Sequence, residues 1–238
     1  MLSVTNTGNN DKEATGNQLF PVFVKLNELH TVLIGAGPVG LEKLTAILNN
    51  SNRATITIIA IDILPEVYAL AGPESNITII QKAFEDADLD AADIVVAATN
   101  NNILNVAIRQ AAKQRKLLIN VADKPDLCDF YLGSVVKKGD LKIGISTNGK
   151  SPTVAKRVKE VLTAALPDEL DITLQQLSAI RNNLTGDFAY KVKELNRITA
   201  MLSAPEAGEE QNTPLSDNTI KDNFFKRIYK SWTFLVKK

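Results

Sequence analysis

Ten residues, Thr31 to Gly40 (TVLIGAGPVG), restrict this chain more than any others. A short β-prone run feeds into Gly-Ala-Gly-Pro-Val-Gly, and a helix-compatible segment follows. This is the G-x-G-x-x-G spacing of a strand–turn–helix unit. Gly35 suits a tight turn off the strand, Gly37 leaves room for a pyrophosphate, and Gly40 lets the helix lie close to the strand. Free N–H groups and the positive end of the helix dipole would then face the phosphates. Taken bare, the spacing also fits an ordinary glycine-rich turn.

The next segments extend the pattern. Thr31 to Ile34, Ala54 to Ile61, Ile77 to Gln81, Asp93 to Ala98 and Leu117 to Val121 read as strands. Leu41 to Asn49, Leu64 to Ala71 and Ile103 to Arg115 read as helices, the last with Leu104, Ala107, Ile108 and Ala111 inward. Continuous apolar strands such as ATITIIAI fit a sheet buried on both faces. The alternation predicts an α/β, doubly wound parallel sheet whose strand ends put Gly35, Ala60, Thr99 and Asp123 on one rim. Before it, Leu19 to Leu26 (LFPVFVKL) reads as an edge strand or arm. His30, the single histidine, reads as an exposed turn residue.

After Asp123 the pattern changes. Ser134 to Lys137 and Leu141 to Ser146 form a hairpin signal around Lys138-Gly139-Asp140. Ser151 is placed to cap a helix that starts at Pro152 and runs to about Ala165, and Pro167 ends it. Leu170 to Leu184 and Phe188 to Leu202 read as a helical hairpin through Thr185-Gly186-Asp187. The expected organisation is a disordered tail over 1–18, a dinucleotide-binding domain over 19–123, a small connecting region over 124–150 and a helical domain over 151–202. A linker over 203–218 and an amphipathic helix over 219–238 complete it. That last helix reads as docking on its own or a neighbouring subunit, with a membrane surface as the alternative.

The 238 residues carry 45% hydrophobic side chains and a formal net charge of zero, which argues against a dedicated nucleic-acid binder. No apolar run approaches the roughly 20 residues of a membrane span. Residues 1–18 lack the apolar core of a signal peptide. Cys128 is the single cysteine, so no intramolecular disulfide forms and a reducing, cytoplasmic setting is expected. No His/Cys cluster suggests a permanent metal site. Asp62 follows the second strand slightly late for the acid that holds a ribose in NAD sites; a helix cap or solvated turn is an equal reading. No arginine lies in 54–68 to receive a 2′-phosphate, which favours NAD over NADP.

Five motifs in order, LFPVFVKL at 19–26, VLIGAGPVGLEK at 32–43, AATNNNILN at 97–105, NVADKPDLCDFY at 120–131 and ISTNGKSPTVAK at 145–156, are more specific than the glycines. Over about Leu19 to Pro167 the chain resembles the precorrin-2 dehydrogenase/sirohydrochlorin ferrochelatase family, the dehydrogenase half of siroheme synthases. The resemblance implies a Rossmann-type parallel sheet, then a small α+β dimerisation domain over 124–150 and a helical domain. It implies an intertwined homodimer, with the site in the cleft between the domains. It implies oxidation of the tetrapyrrole precorrin-2 to sirohydrochlorin with NAD, and in bifunctional members Fe2+ insertion as well. A dehydrogenase served by a separate chelatase, and a non-catalytic NAD-sensing module, are the alternatives. The chain has no room for the methyltransferase half that makes precorrin-2, so another protein is expected to supply it.

The same resemblance assigns residues. Asp123, ending N-V-A-D, becomes the catalytic carboxylate, although an aspartate before Lys124-Pro125 also suits a turn cap. Gly35, Gly37, Pro38, Val39, Gly40, Ile61, Asp62, Thr99, Asn120 and Val121 become cofactor contacts. Thr147 lies where fused relatives carry a modifiable serine, though a loop hydroxyl bonded to backbone is the plainer reading. Cys128 matches the family motif and reads as a small buried residue. A substrate rich in carboxylates makes Lys124, Lys150, Lys156 and Arg157 candidate contacts.

Overall fold

The computed structural model describes residues 16–167 and 170–199, apart from the side chain of Thr173. Most of the expected tail, the end of the second helix of the hairpin, the linker over 203–218 and the helix over 219–238 therefore lie outside the described residues. The chain divides into two compact units, Met1–Leu132 with Ser146–Pro152, and Gly133–Ile145 with Thr153–Lys238.

The first unit is built on five parallel strands: β1 (His30–Ala36), β2 (Thr55–Ile63), β3 (Ile77–Gln81), β4 (Ile94–Ala97) and β5 (Leu118–Val121). Their spatial order is β3-β2-β1-β4-β5, the Rossmann-type order in which the chain reverses direction between β1 and β4. Helices α1 (Pro38–Asn50), α2 (Pro65–Ala71) and α3 (Asn102–Gln114) make the crossovers. The unbroken apolar runs follow from burial on both faces. Val32, Ile34, Val95 and Ile119 pack with Ile108 and Ala111 of α3. Their neighbours Leu33, Ile56, Ile58 and Val96 pack with Leu44 and Ile47 of α1 and Val67 of α2 on the other face. Pairing of Ile34 with both Ile59 and Ala97, and of Ala97 with Val121, brings the carboxyl ends of β2, β1, β4 and β5 to one rim.

One open reading is narrowed and two local expectations change. Of strand or arm, residues 19–26 form an arm: Pro21 cannot donate to a ladder, and Phe20, Val22 and Phe23 are exposed. His30 is not a free turn residue but opens β1. Its ring nitrogens bond the Ala91 carbonyl and the Thr57 hydroxyl, both at 2.8 Å, and its N–H donates to Asp93 at 2.8 Å. In α3, Ala107 faces outward and Asn105 inward, because the rim needs a polar partner there.

In the second unit β6 (Ser134–Lys138) and β7 (Leu141–Ile145) form an antiparallel hairpin, followed by α4 (Pro152–Ala165), α5 (Leu170–Asn183) and α6 (Phe188–Thr199). The two-residue turn Gly139-Asp140 is tied to α5 by the Asp140 N–H donating to the Asp171 carboxylate at 2.8 Å. No described helix is long and apolar enough to cross a membrane.

Candidate functional site

The rim of the first unit carries an open cleft of about 260 Å³ around the β1–α1 turn. Gly35 holds a φ of +100°, and a Cβ there would sit 2.5 Å from the Ala98 carbonyl oxygen of the chain leaving β4. A Cβ on Gly40 would run into the Gly35 carbonyl, so these two glycines press helix, turn and strand together. Gly37 differs: a Cβ there meets nothing within 4 Å. Its open front is the space a pyrophosphate needs. Gly37 caps α1 without a side-chain hydrogen bond, Pro38 has no N–H, and the Val39 and Gly40 amides have no acceptor among the described residues. Two free N–H groups at a helix start, facing a cleft, fit a dinucleotide's phosphates.

The late position of Asp62 has a structural reason. Between Ile34 and Ala36, β1 has one residue, whereas β2 has three between their partners Ile59 and Ile63. Ala60, Ile61 and Asp62 thus form a bulge within β2, not a segment after it, and all three line the cleft. Ile61 is 63% exposed and offers an apolar face; Asp62 is exposed beside it. Lys82, Phe84 and Leu104 also line the cleft and were missed in the sequence. Lys82 directly follows β3, and charge next to a strand end was its one signal.

At the end of β4, Thr99 lines the cleft but its hydroxyl is engaged inward. It donates to Asn105 Oδ1 at 2.7 Å and accepts the Asn101 N–H at 3.2 Å; Asn105 Nδ2 donates back to the Thr99 carbonyl at 3.1 Å. Asn105 is 2% exposed. Its signal was a polar residue one position from Leu104 on the apolar face of α3. Thr99 therefore shapes the cleft wall.

Asp123 stands two residues past β5 on the same rim, exposed, with a φ of +57°. Its carboxylate makes no hydrogen bond or ion pair among the described residues, so the turn-cap reading finds no bond here. Asn120 and Val121 are buried and do not line the cleft. Instead they anchor the segment after Asp123. β5 is the edge strand, and residues 128–130 cover it. The Cys128 thiol accepts the Val121 N–H at 3.2 Å and faces the Val121 and Lys124 carbonyls. Asp129 donates its N–H to the Ile119 carbonyl at 2.8 Å and accepts the Ile119 N–H at 3.2 Å. Asn120 Nδ2 donates to the Phe130 carbonyl at 2.9 Å. Arg109 of α3 grips both oxygens of Asp129, one at 2.7 Å. Burial pushes the Cys128 thiol above its ordinary pKa, so it rests as a thiol.

The candidate substrate cations are spread out. Lys124 is half-buried next to Asp123, and Lys150 is exposed after β7. Lys156 and Arg157 belong to α4 in the second unit, where Arg157 pairs with Glu160 at 2.7 Å. The Thr147 hydroxyl accepts the Ser151 N–H and donates to the Ser151 carbonyl, both at 3.2 Å. Among the described residues no group of three or more His, Cys, Asp or Glu could hold a metal ion.

Residues 22–134 match the family model described as putative NAD(P)-binding, and residues 138–165 match the sirohaem biosynthesis protein central domain. The chain is 32% identical over 148 residues to the siroheme synthase of Thioalkalivibrio sulfidiphilus, covering 62% of this chain and 30% of that protein. It is 32% identical over 171 residues to the siroheme synthase of Pseudoalteromonas atlantica, covering 72% and 36%. It is also 30% identical over 207 residues to siroheme synthase 1 of Aeromonas salmonicida, covering 86% and 44%. The matched region thus spans between a third and a half of these relatives, or slightly less. Among solved structures, SirC, a precorrin-2 dehydrogenase, superposes with a TM-score of 0.62 at 20% identity, covering 92% of this chain and 100% of that one. The fold is shared.

Proposed function

This chain belongs to the sirohaem-biosynthesis protein family, and from that premise we propose that it oxidises precorrin-2 to sirohydrochlorin with NAD+ as hydride acceptor. The observation that carries the reading is the pairing, on one rim of one sheet, of an open cradle at Gly37 with an Asp123 carboxylate that has no partner among the described residues. Gly35, Gly37, Val39 and Gly40 seat the pyrophosphate, with Pro38 starting the helix. Ile61 and Asp62 meet the adenosine end, and Thr99 walls the cleft. Asn120 and Val121 act beneath the surface, by holding the strand end from which Asp123 projects.

Bound NAD+ supplies the hydride acceptor. Loss of a hydride from the tetrapyrrole leaves a proton to be removed, and we assign its removal to the exposed Asp123 carboxylate after β5, with Asp62 at the other end of the rim left to the ribose. Lys124 lies next in sequence to it and is a candidate contact for the substrate's carboxylates; Lys150, Lys156 and Arg157 are weaker candidates of the same kind. Fe2+ insertion also requires a base, for the pyrrole N–H protons, so Asp123 suits a second, chelatase reaction with Fe2+ as substrate. The same reading has the protein working in the cytoplasm as a homodimer. A two-stranded sheet such as β6–β7 is marginal alone and gains from a neighbour.

The test is incubation of purified protein with precorrin-2 and NAD+. Formation of NADH and sirohydrochlorin is expected. NAD+ binding without NADH formation would reduce the chain to a nucleotide sensor. Sirohydrochlorin with Fe2+ then separates the two enzyme readings, since an unchanged pigment spectrum confines the protein to dehydrogenation.

A further inference from the structure

The cleft contains one cation, Lys82, among its lining residues. Its backbone N–H donates to the Ala60 carbonyl at 3.0 Å, which sets it beside the β2 bulge bearing Asp62. Its ammonium is already engaged, by Asp88 at 2.8 Å and Glu85 at 3.1 Å. These acids are themselves held. The Asp88 carboxylate accepts the Glu85 N–H at 2.9 Å, and the Glu85 carboxylate accepts the Asp88 N–H, a reciprocal capping box over the short 3-10 turn Asp86–Leu89. Asp88 is only 12% exposed at its side chain. Asp62, Glu85 and Asp88 together outnumber the single ammonium, so this end of the cleft carries a formal excess of negative charge.

We propose that Glu85 and Asp88 are positioning residues that mask Lys82, and that this masking sets the cleft for a dinucleotide with a free 2′-hydroxyl and against one with a 2′-phosphate. The proposal rests on the reading of the cleft as a dinucleotide site. In such sites the adenosine ribose lies over the end of the second strand, where a carboxylate accepts its hydroxyl. Asp62 occupies that place. A 2′-phosphate brings up to two negative charges to the same place and would need a cation able to form charge-assisted hydrogen bonds. Lys82 is the cation within the cleft lining, and its donors point at two fixed carboxylates. The absence of an arginine from 54–68 is thus half of the selectivity; the other half is a lysine kept occupied.

The test measures NAD+ and NADP+ binding to the full chain by calorimetry and reads the ratio of the two Kd values. The wild type is expected to favour NAD+ by about tenfold or more. The Glu85→Gln/Asp88→Asn double variant frees Lys82 and lowers that ratio by about tenfold. Adding Lys82→Gln to the double variant restores it. General loosening would weaken both ligands alike, so an unchanged ratio in the double variant overturns the proposal. A ratio that stays low after Lys82→Gln overturns it too, as does a wild type preferring NADP+. Glu85→Gln alone leaves the Asp88 carboxylate in place and is expected to move the ratio part of the way, should the double variant fold poorly. Failure of the wild type to bind either dinucleotide is a separate result, which removes the dinucleotide reading and this proposal with it.

Discussion

Two turns on one rim are built by opposite means. The β1–α1 turn is made of missing side chains: Gly35 and Gly40 allow backbone to touch backbone, and Gly37 leaves a gap. The turn after β5 contains no glycine. Asp123 takes a φ of +57° there, and the segment is held by side chains, Asn120, Cys128 and Asp129 with Arg109 behind it. The first turn presents backbone amides to a ligand; the second presents one carboxylate. A binding site of backbone tolerates little change in shape, whereas a chemical group on a side-chain scaffold can be removed without moving the scaffold.

The largest effect is expected from pressing on the first turn where it is tight. Gly40→Ala puts a methyl into the Gly35 carbonyl, and Gly35→Ala adds a left-handed backbone to a clash with Ala98. Overpacking costs about 1–3 kcal/mol and the backbone about 1–2 kcal/mol more, so both variants should unfold at distinctly lower denaturant. Gly37→Ala is the contrast. It meets nothing in the protein, so its denaturation midpoint should match wild type while its NAD+ affinity falls about tenfold or more. A Gly37→Ala variant that unfolds early while still binding NAD+ would reverse the roles of these glycines.

The second turn should behave the other way. Asp123→Asn keeps a residue that tolerates the left-handed region, so the fold and NAD+ binding should persist. Dehydrogenation should fall by roughly 10²–10⁴-fold, the usual worth of a general base. Asp123→Ala is the less clean test, because alanine adds backbone strain at this φ. NADH production at the wild-type rate in Asp123→Asn would remove the base from Asp123.

How much of this was legible in sequence follows the same division. Glycines report their own function, because few other residues fit φ of +100° or backbone contact, so the first turn could be read directly. Strand and helix order followed from apolar periodicity, and the Asp62 offset was visible as a lateness, though not as a bulge. Asn105, Arg109 and Lys82 were not legible. Each acts through a partner distant in sequence or set by a turn: Thr99, Asp129, and the Glu85–Asp88 capping box. The local signals, a polar residue beside Leu104 and a charge after β3, did not say which partner each would meet, and Arg109 and Asp129 lie 20 residues apart. Composition left residues 19–26 open between an edge strand and an arm; they form an exposed arm, as Pro21 cannot complete a ladder.

A smaller effect is expected at the Arg109–Asp129 pair, which is partly exposed, at 22% and 26% of its side chains. Solvent screening holds its worth to about 1 kcal/mol, but Asp129 also satisfies the β5 edge at Ile119. Arg109→Met should therefore lower stability by about 1 kcal/mol and reduce turnover more than NAD+ affinity, because the loss falls on the turn that carries Asp123. Equal losses in both would mean that the two turns are not held independently.

The smallest effect concerns the thiol that covers the same edge. Burial raises the Cys128 pKa above its ordinary value of 9.0, so the fold favours the thiol over the thiolate. The unfolded chain has no such preference and ionises near the ordinary value. The thiol's contribution is therefore complete below about pH 9 and is lost as pH rises through the raised folded value. Native protein should react slowly with iodoacetamide at mildly alkaline pH and quickly once denatured. Cys128→Ser keeps a donor and acceptor for Val121 and does not titrate in this range, so its denaturation midpoint should fall less steeply than wild type between neutral pH and about pH 10. Parallel pH profiles for the two proteins would mean that folding does not favour the Cys128 thiol over its thiolate, and that Asn120 and Asp129 hold the edge of β5 without a contribution from its protonation.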